Sequence, residues 1–331
     1  MTVIYREEHA DVGQLAGKTV SVIGYGSLGR PMALRLHDSG VQLLVGARSN
    51  ESRAAATDDG IPAVTVEEAV KRSDIIMMML PNEIMPPFYL EYVSPHLRKN
   101  QMLVFGSAYT LTYNYIEPPP FVDVGLIAPR SMASAIAEGA GDDYMSFVSV
   151  GQDSSGSAWP LLLALAKSAG ALRVGAVEIS FERETELDLF MHQAVLPALH
   201  HVLTTAAELL LARGYPTEAV FAELYLSGEL GDYLKQAAQR GLLTAFQNLP
   251  LNGQYGAYSR LERFDDLKLE RLMEISLKEI HNGDFAREWS KEYADGYRRL
   301  KNFFKNQSKL ELWELEKQSL EFFGRDTDSD R

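Results

Sequence analysis

The chain has 331 residues, a formal net charge of −13 and no cysteine. That length suits two domains rather than one core. The negative charge argues against nucleic acid or an anionic membrane as the main partner. The missing cysteines exclude disulfides, thiolate metal sites and a cysteine nucleophile, and they suit a reducing cytoplasmic setting. The first residues are mixed in charge and lack an apolar core, so no secretory signal is expected. The apolar run from Ile75 to Pro81 is too short to span a bilayer.

In chain order, the spacing predicts a strand over Thr19 to Ile23, a helix over Pro31 to Asp38 and a strand over Gln42 to Gly46. A helix follows over Glu67 to Arg72. Asp74 to Leu80 is a continuous apolar strand that Pro81 stops. Further strands are expected over Met102 to Phe105, Val122 to Ala128, Ser146 to Val150 and Ala171 to Ile179, with a helix over Trp159 to Ser168. Apolar strands alternating with helices indicate an α/β domain: a mainly parallel sheet covered on both faces. From Glu182 onward the pattern is helical. Gln193 to Arg213 is apolar nearly all round, which predicts a buried helix, and Pro197 inside it predicts a kink. The expected organisation is a Rossmann-type domain over 1–181, an all-α domain over 182–323 and a disordered polar tail over 324–331.

The first strand runs into Gly24-Tyr25-Gly26-Ser27-Leu28-Gly29 and then a helix, the setting in which G-x-G-x-x-G binds a dinucleotide. Gly24 permits the tight turn, Gly26 lets the backbone approach a pyrophosphate, and Gly29 lets helix pack on strand. Amide N–H groups and the positive helix end would hold the phosphates. The second strand ends in Arg48, Ser49, Ser52 and Arg53 where an NAD site usually carries an acidic residue. Two guanidiniums and two hydroxyls suit the 2′-phosphate of NADPH. Glu51 is the counter-argument, and a solvated loop the plain alternative. Leu80 and Pro81, closing the apolar strand, complete the expected cofactor set.

Several longer segments make the chain resemble the ketol-acid reductoisomerase family in its short form, over about residues 1 to 323. They are LAGKTVSVIGYGSLG, LHDSGVQLLVGAR, SDIIMMMLPNE, IEPPPFVDVGLIAPR, VGQDSSG, FERETELDLF and NGDFAREWSKE. The resemblance implies a knotted helical C-terminal domain and a homodimer with interdigitated C-terminal domains, whose sites take residues from the partner subunit. It also implies two-step chemistry: an alkyl migration driven by two magnesium ions, then reduction by NADPH.

This chain departs from the family where the magnesium chemistry sits. The family's Phe-x-His-Gly-Phe-Asn loop reads Phe105-Gly106-Ser107-Ala108-Tyr109-Thr110. Its Asp-Leu-Phe-Gly-Glu-Gln metal motif reads Asp188-Leu189-Phe190-Met191-His192-Gln193, so His192 stands for the second carboxylate. The carboxylate pair expected from the partner falls on Glu223 with Ser227 in one register and on Ala222 with Leu226 in the other. The Ser-x-Ser segment reads Leu249-Pro250-Leu251, and the lysine of Ala-Pro-Lys is Arg130. Magnesium wants hard oxygen ligands and a metal pair needs bridging carboxylates. No metal is therefore expected.

Asp188 and His192, four residues apart, would share one helical face. They could make His192 a proton donor, hold one softer metal such as zinc, or simply line an interface. Ser107 and Tyr109 follow a strand at the crevice where such sheets bind ligands; either hydroxyl could meet substrate or serve the turn. Arg130 could clamp a carboxylate or make a surface salt bridge. His200 and His201 point about 100° apart and read as structural. The expected function is an NADPH-dependent reductase of a small ketone or imine. Against it stand a working reductoisomerase with a rearranged metal site and a nucleotide-binding protein without chemistry.

Overall fold

Alternating side chains explain why the N-terminal strands are apolar throughout. The structure, a computed structural model, describes residues 2–131, 144–264 and 268–325. It divides into two units, Met1–Asp188 and Leu189–Arg331. In the first, Val20, Val22, Ile75 and Met77 face one layer while Ile23, Ile76, Met78 and Phe105 face the other. Each fully buried side chain of this kind contributes roughly 1.5–3 kcal/mol.

The strands are Ile4–Tyr5 (β1), Thr19–Ile23 (β2), Gln42–Gly46 (β3), Ala63–Val64 (β4), Ile75–Met78 (β5), Met102–Phe105 (β6), Asp123–Pro129 (β7), Ser146–Gln152 (β8) and Ala176–Glu178 (β9). They form one sheet in the order β1-β9-β8-β7-β6-β5-β2-β3-β4. The stretch from β7 to β4 is parallel throughout, whereas β7 with β8 and β1 with β9 are antiparallel. Gly29–Asp38 (α1) packs Met32, Ala33 and Leu36 on one face, and Val66–Arg72 packs Val66, Ala69 and Val70 on the other.

Several elements differ from the expectation. Asn50–Asp58 (α2) is helical, capped by Ser49, whose oxygen accepts from the Ser52 amide. Met85–Phe88 is helical and continues into a π-helical turn at Tyr89–Val93. β5 is shorter than the apolar run, and the final strand begins only at Ala176, after Gly170 and Gly175 bend the chain at positive φ.

Among its described residues the second unit has helices and no strand. Its core gathers Ala207, Val220, Phe221, Leu226 and Leu312. The expected buried helix is not buried within the chain. It runs Leu196–Ala212 with Ala207 alone fully buried, and Val202 and Leu209 are 58% and 54% exposed. Composition misled because a helix apolar all round needs cover, and one chain does not supply it. The bilayer argument also needs correcting. The continuous helical stretch Phe181–Ala212 is long and apolar enough, by length and composition, to cross a membrane. At Pro197 the break takes the form of a π-helical turn, Met191–Val195, just before the α-helix. Proline has no N–H to give the carbonyl four residues back, so the preceding turn widens. His200 stacks on Trp313 with ring centroids 5.5 Å apart. Arg325, in the expected tail, donates to the Leu226 carbonyl at 2.6 Å; residues 326–331 of that tail lie outside the described residues.

Candidate active site

The carboxyl ends of β3, β2, β5, β6 and β7 lie side by side. Their following loops carry, in that order, Arg48, the glycine turn, Leu80 with Pro81, Ser107 and Arg130. The chain leaves β2 toward β3 on one side and returns to β5 on the other, so a crevice opens where the strand order reverses.

The glycines divide the work there. Gly24 has φ of 96°, and a Cβ on it would lie 2.6 Å from the Met79 carbonyl oxygen. A Cβ on Gly29 would lie 2.0 Å from the Gly24 carbonyl oxygen, so helix α1 can start there only without a side chain. A Cβ on Gly26 would meet nothing within 4 Å: that backbone faces open space, as an approaching pyrophosphate requires. The cleft beside it holds about 480 Å³. Gly24, Tyr25, Gly26, Arg48, Ser49, Ser52, Leu80 and Pro81 all line it, as do Met79, Ile84 and Phe88, which the sequence reading missed. Their signal was position: they flank Pro81 at the end of an inner strand. Ser27, Leu28, Gly29 and Arg53 are not in the wall. Leu28 packs on the core and Gly29 is buried.

The residues that follow β3 have separate tasks. Arg53 turns back into its own loop, donating to the carbonyls of Ala47 at 2.6 Å and Arg48 at 2.9 Å and to the Asn50 side chain. Ser49 Oγ donates to Ser52 Oγ at 2.9 Å. Arg48 is exposed, its guanidinium 5.1 Å from the Phe88 ring centre and 5.6 Å from that of Tyr92. A second brace joins the glycine turn to the end of α2. The Tyr25 hydroxyl donates to Asp59 at 2.7 Å, and Arg30 donates to both oxygens of that carboxylate at 2.7 and 2.8 Å. Hydrogen bonding from Arg30, then from Tyr25, holds the Asp59 carboxyl down at about 2. A larger cleft of about 640 Å³ lies at the opposite edge, beside Lys18, Arg35 and Lys167. Cations there offset the carboxyl ends of two helices, and none of the predicted site residues reaches it.

At the other end of the crevice Ser107 Oγ accepts from the Tyr109 amide at 3.3 Å. The Tyr109 hydroxyl is buried without a hydrogen-bond partner among the described residues, beside the rings of Tyr113 and Tyr115. Burial pushes its pKa up, so it stays a neutral hydrogen-bond donor. Arg130 is neither an open clamp nor a surface bridge. Its Nη2 meets Glu184 Oε1 at 2.9 Å and its Nη1 meets Asp188 Oδ1 at 3.2 Å, both carboxylates lying on Phe181–Phe190. Glu184 is fully buried, and its other oxygen accepts from the Ala108 amide at 3.0 Å. Burial raises its pKa against the pull of Arg130 and that amide. Sequence reasoning missed Glu184, although it stands four residues before Asp188, the same spacing that drew attention to His192.

In the second unit, His192 is exposed on the π-helical turn Met191–Val195. Glu223 and Ser227 are exposed while Leu226 is buried. Only the register with Glu223 and Ser227 therefore presents both positions to the surface. The donor set around Asp188 does not fit magnesium. Its carboxylate is charge-paired to Arg130, and no three His, Asp or Glu side chains among the described residues converge on one point.

Parallel sheet, glycine turn and cleft together define a Rossmann-type dinucleotide-binding protein. Comparison with known proteins narrows this. Residues 14–175 match the family "Acetohydroxy acid isomeroreductase, NADPH-binding domain" and 181–322 match "Ketol-acid reductoisomerase, C-terminal domain". A ketol-acid reductoisomerase (NADP(+)) of Pyrobaculum calidifontis is 36% identical over 91% of this chain and 92% of its own length. One from Methanothermobacter thermautotrophicus is 35% identical over 94% and 96%. An NADH-preferring ketol-acid reductoisomerase from an uncultured archaeon superposes with a TM-score of 0.86 at 28% identity, covering 96% of this chain and 98% of that one. The chain belongs to the ketol-acid reductoisomerase family and is an NADPH-dependent oxidoreductase.

Proposed function

We propose that the protein reduces a small ketone or imine, of the 2-oxo or 2-imino acid type, with NADPH and without the two-magnesium isomerase step. The observation that carries this reading is the commitment of Asp188 to Arg130, in a chain whose cofactor cleft keeps its glycine turn and its Arg48. NADPH supplies the hydride. The turn from Gly24 to Gly29 seats the pyrophosphate, with Arg48, Ser49 and Ser52 toward the 2′-phosphate. Ser107 and the un-ionised Tyr109 offer hydroxyl hydrogen bonds to the substrate. His192 is the proposed proton donor, with Asp188 to orient it, because hydride delivery to oxygen or nitrogen must be matched by a proton. Glu223 is the remaining carboxylate from the segment that a partner subunit would contribute. The exposed apolar face of Leu196–Ala212, at Leu199, Val202 and Leu209, supports a homodimer in which a second copy covers it.

The names of the relatives favour a second reading, isomeroreduction of 2-acetolactate. Following NADPH absorbance separates the two. The reductase reading expects oxidation with keto acids or cyclic imines that survives a chelator, and no turnover of 2-acetolactate with magnesium. Magnesium-dependent turnover of 2-acetolactate would overturn it.

A further inference from the structure

The family resemblance places a divalent cation against Asp188, and the structure places a guanidinium there. Three atoms of Arg130 are engaged: Nε with the Pro129 carbonyl at 3.2 Å, Nη2 with Glu184 at 2.9 Å and Nη1 with Asp188 at 3.2 Å. The guanidinium carbon sits 4.9 Å from the centre of the Phe147 ring, which supports its flat face. Its side chain is 23% exposed, against 0% for Glu184 and 35% for Asp188. A lysine in this position offers one point charge. The planar fork of arginine bonds two carboxylates at once.

We infer that Arg130, fixed by the buried Glu184, is the resident cation of this site and holds the place of a divalent metal at Asp188. A magnesium ion on Asp188 would face the guanidinium across a few ångströms of partly dry protein, where like charges repel strongly. It would also find one carboxylate fewer than the family pattern supplies, since the position four residues on is His192. Glu184 acts here as a positioning residue: removing it frees the fork to move off Asp188. The fixed charge needs no metal binding and is independent of metal supply.

This inference rests on the reading of the site as metal-free, but its readout is cation uptake rather than turnover. The test is Mn²⁺ uptake by the full chain, followed as loss of the free-ion electron paramagnetic resonance signal. Site uptake is the part that Asp188→Asn removes. The parent protein should show none at millimolar Mn²⁺, and Arg130→Gln should gain one equivalent that disappears in Arg130→Gln/Asp188→Asn. Arg130→Lys should fall between them, which keeps the test open if the glutamine variant fails to fold. Asp188-dependent uptake by the parent overturns the inference, and so does the absence of any gain in both Arg130 variants. A chain that turns over 2-acetolactate with magnesium while Asp188 takes up no Mn²⁺ would defeat the functional reading and leave this one standing.

Discussion

The two ends of the crevice in the first unit are built on opposite principles. At the glycine turn, side chains are removed so that backbone can meet a ligand, and what remains is held from outside by Tyr25, Arg30 and Asp59. At the ends of β6 and β7, side chains crowd inward and satisfy one another through Arg130, Glu184 and Asp188. The first end is open to phosphate of any family member. The second pairs the carboxylates of Glu184 and Asp188 with one guanidinium.

The largest effect should come from the substrate half. His192→Ala is expected to lower turnover by roughly 10²–10⁴-fold while NADPH affinity stays near normal. His192→Gln should be nearly as poor, since an amide cannot transfer a proton. Full turnover in the alanine variant would shift the proton to Tyr109, Ser107 or Asp188. Next comes the cofactor half. Arg48→Asp should weaken NADPH by about 1.5–3 kcal/mol, the value of a charge-assisted contact, and spare NADH. Equal losses for both nucleotides in fluorescence titrations would remove Arg48 from the 2′-phosphate. Asp59→Asn should instead weaken both nucleotides alike, by a smaller factor, because it loosens the glycine turn rather than a phosphate contact. A loss confined to NADPH would contradict that division of labour.

Tyr109→Phe sharpens the contrast from the stability side. An unpartnered buried hydroxyl is worth nothing to the fold, so the melting temperature should hold or rise, and only kcat should fall. A clear drop in melting temperature would mean that the hydroxyl has a structural partner. The smallest effect concerns acid. The Asp59 carboxyl sits at about 2 against an ordinary 3.8, so its ionised form is favoured by the fold. Its contribution is complete above 3.8 and is lost as pH falls through about 2. Acid unfolding of Asp59→Asn should be less steep in that window; identical acid limbs would show that the brace carries no stability.

Much of the cofactor half was legible because its requirements are local. Gly24, Gly26 and Gly29 follow from one strand-to-helix turn, and Arg48 from the end of the next strand. Arg53 was not legible. Its composition suits phosphate, but in the fold its guanidinium is spent on the carbonyls of Ala47 and Arg48. Helix α2 was missed because the polar run from Ser49 reads as a loop unless its serine is recognised as a cap. In the substrate half, Arg130 and Asp188 were visible singly, but their pairing joins residues 58 positions apart. Glu184 went unseen because a buried charge is improbable until its partners are known. The exposure of Leu196–Ala212 was illegible for a different reason: apolar pattern reports a need for cover and not where the cover comes from.

The burial of Glu184 also bears on how such a site can change over generations. A carboxylate that holds the Ala108 amide with one oxygen and Arg130 with the other cannot lose either partner without leaving a charge stranded away from water. Breaking a buried pair from one side is typically costly by about 3–5 kcal/mol, a large fraction of a domain's whole stability. Arg130 and Glu184 should therefore be non-additive in a double-mutant cycle. A lineage holding this pair would be confined by it, because single replacements at Arg130 lead through a weakened protein.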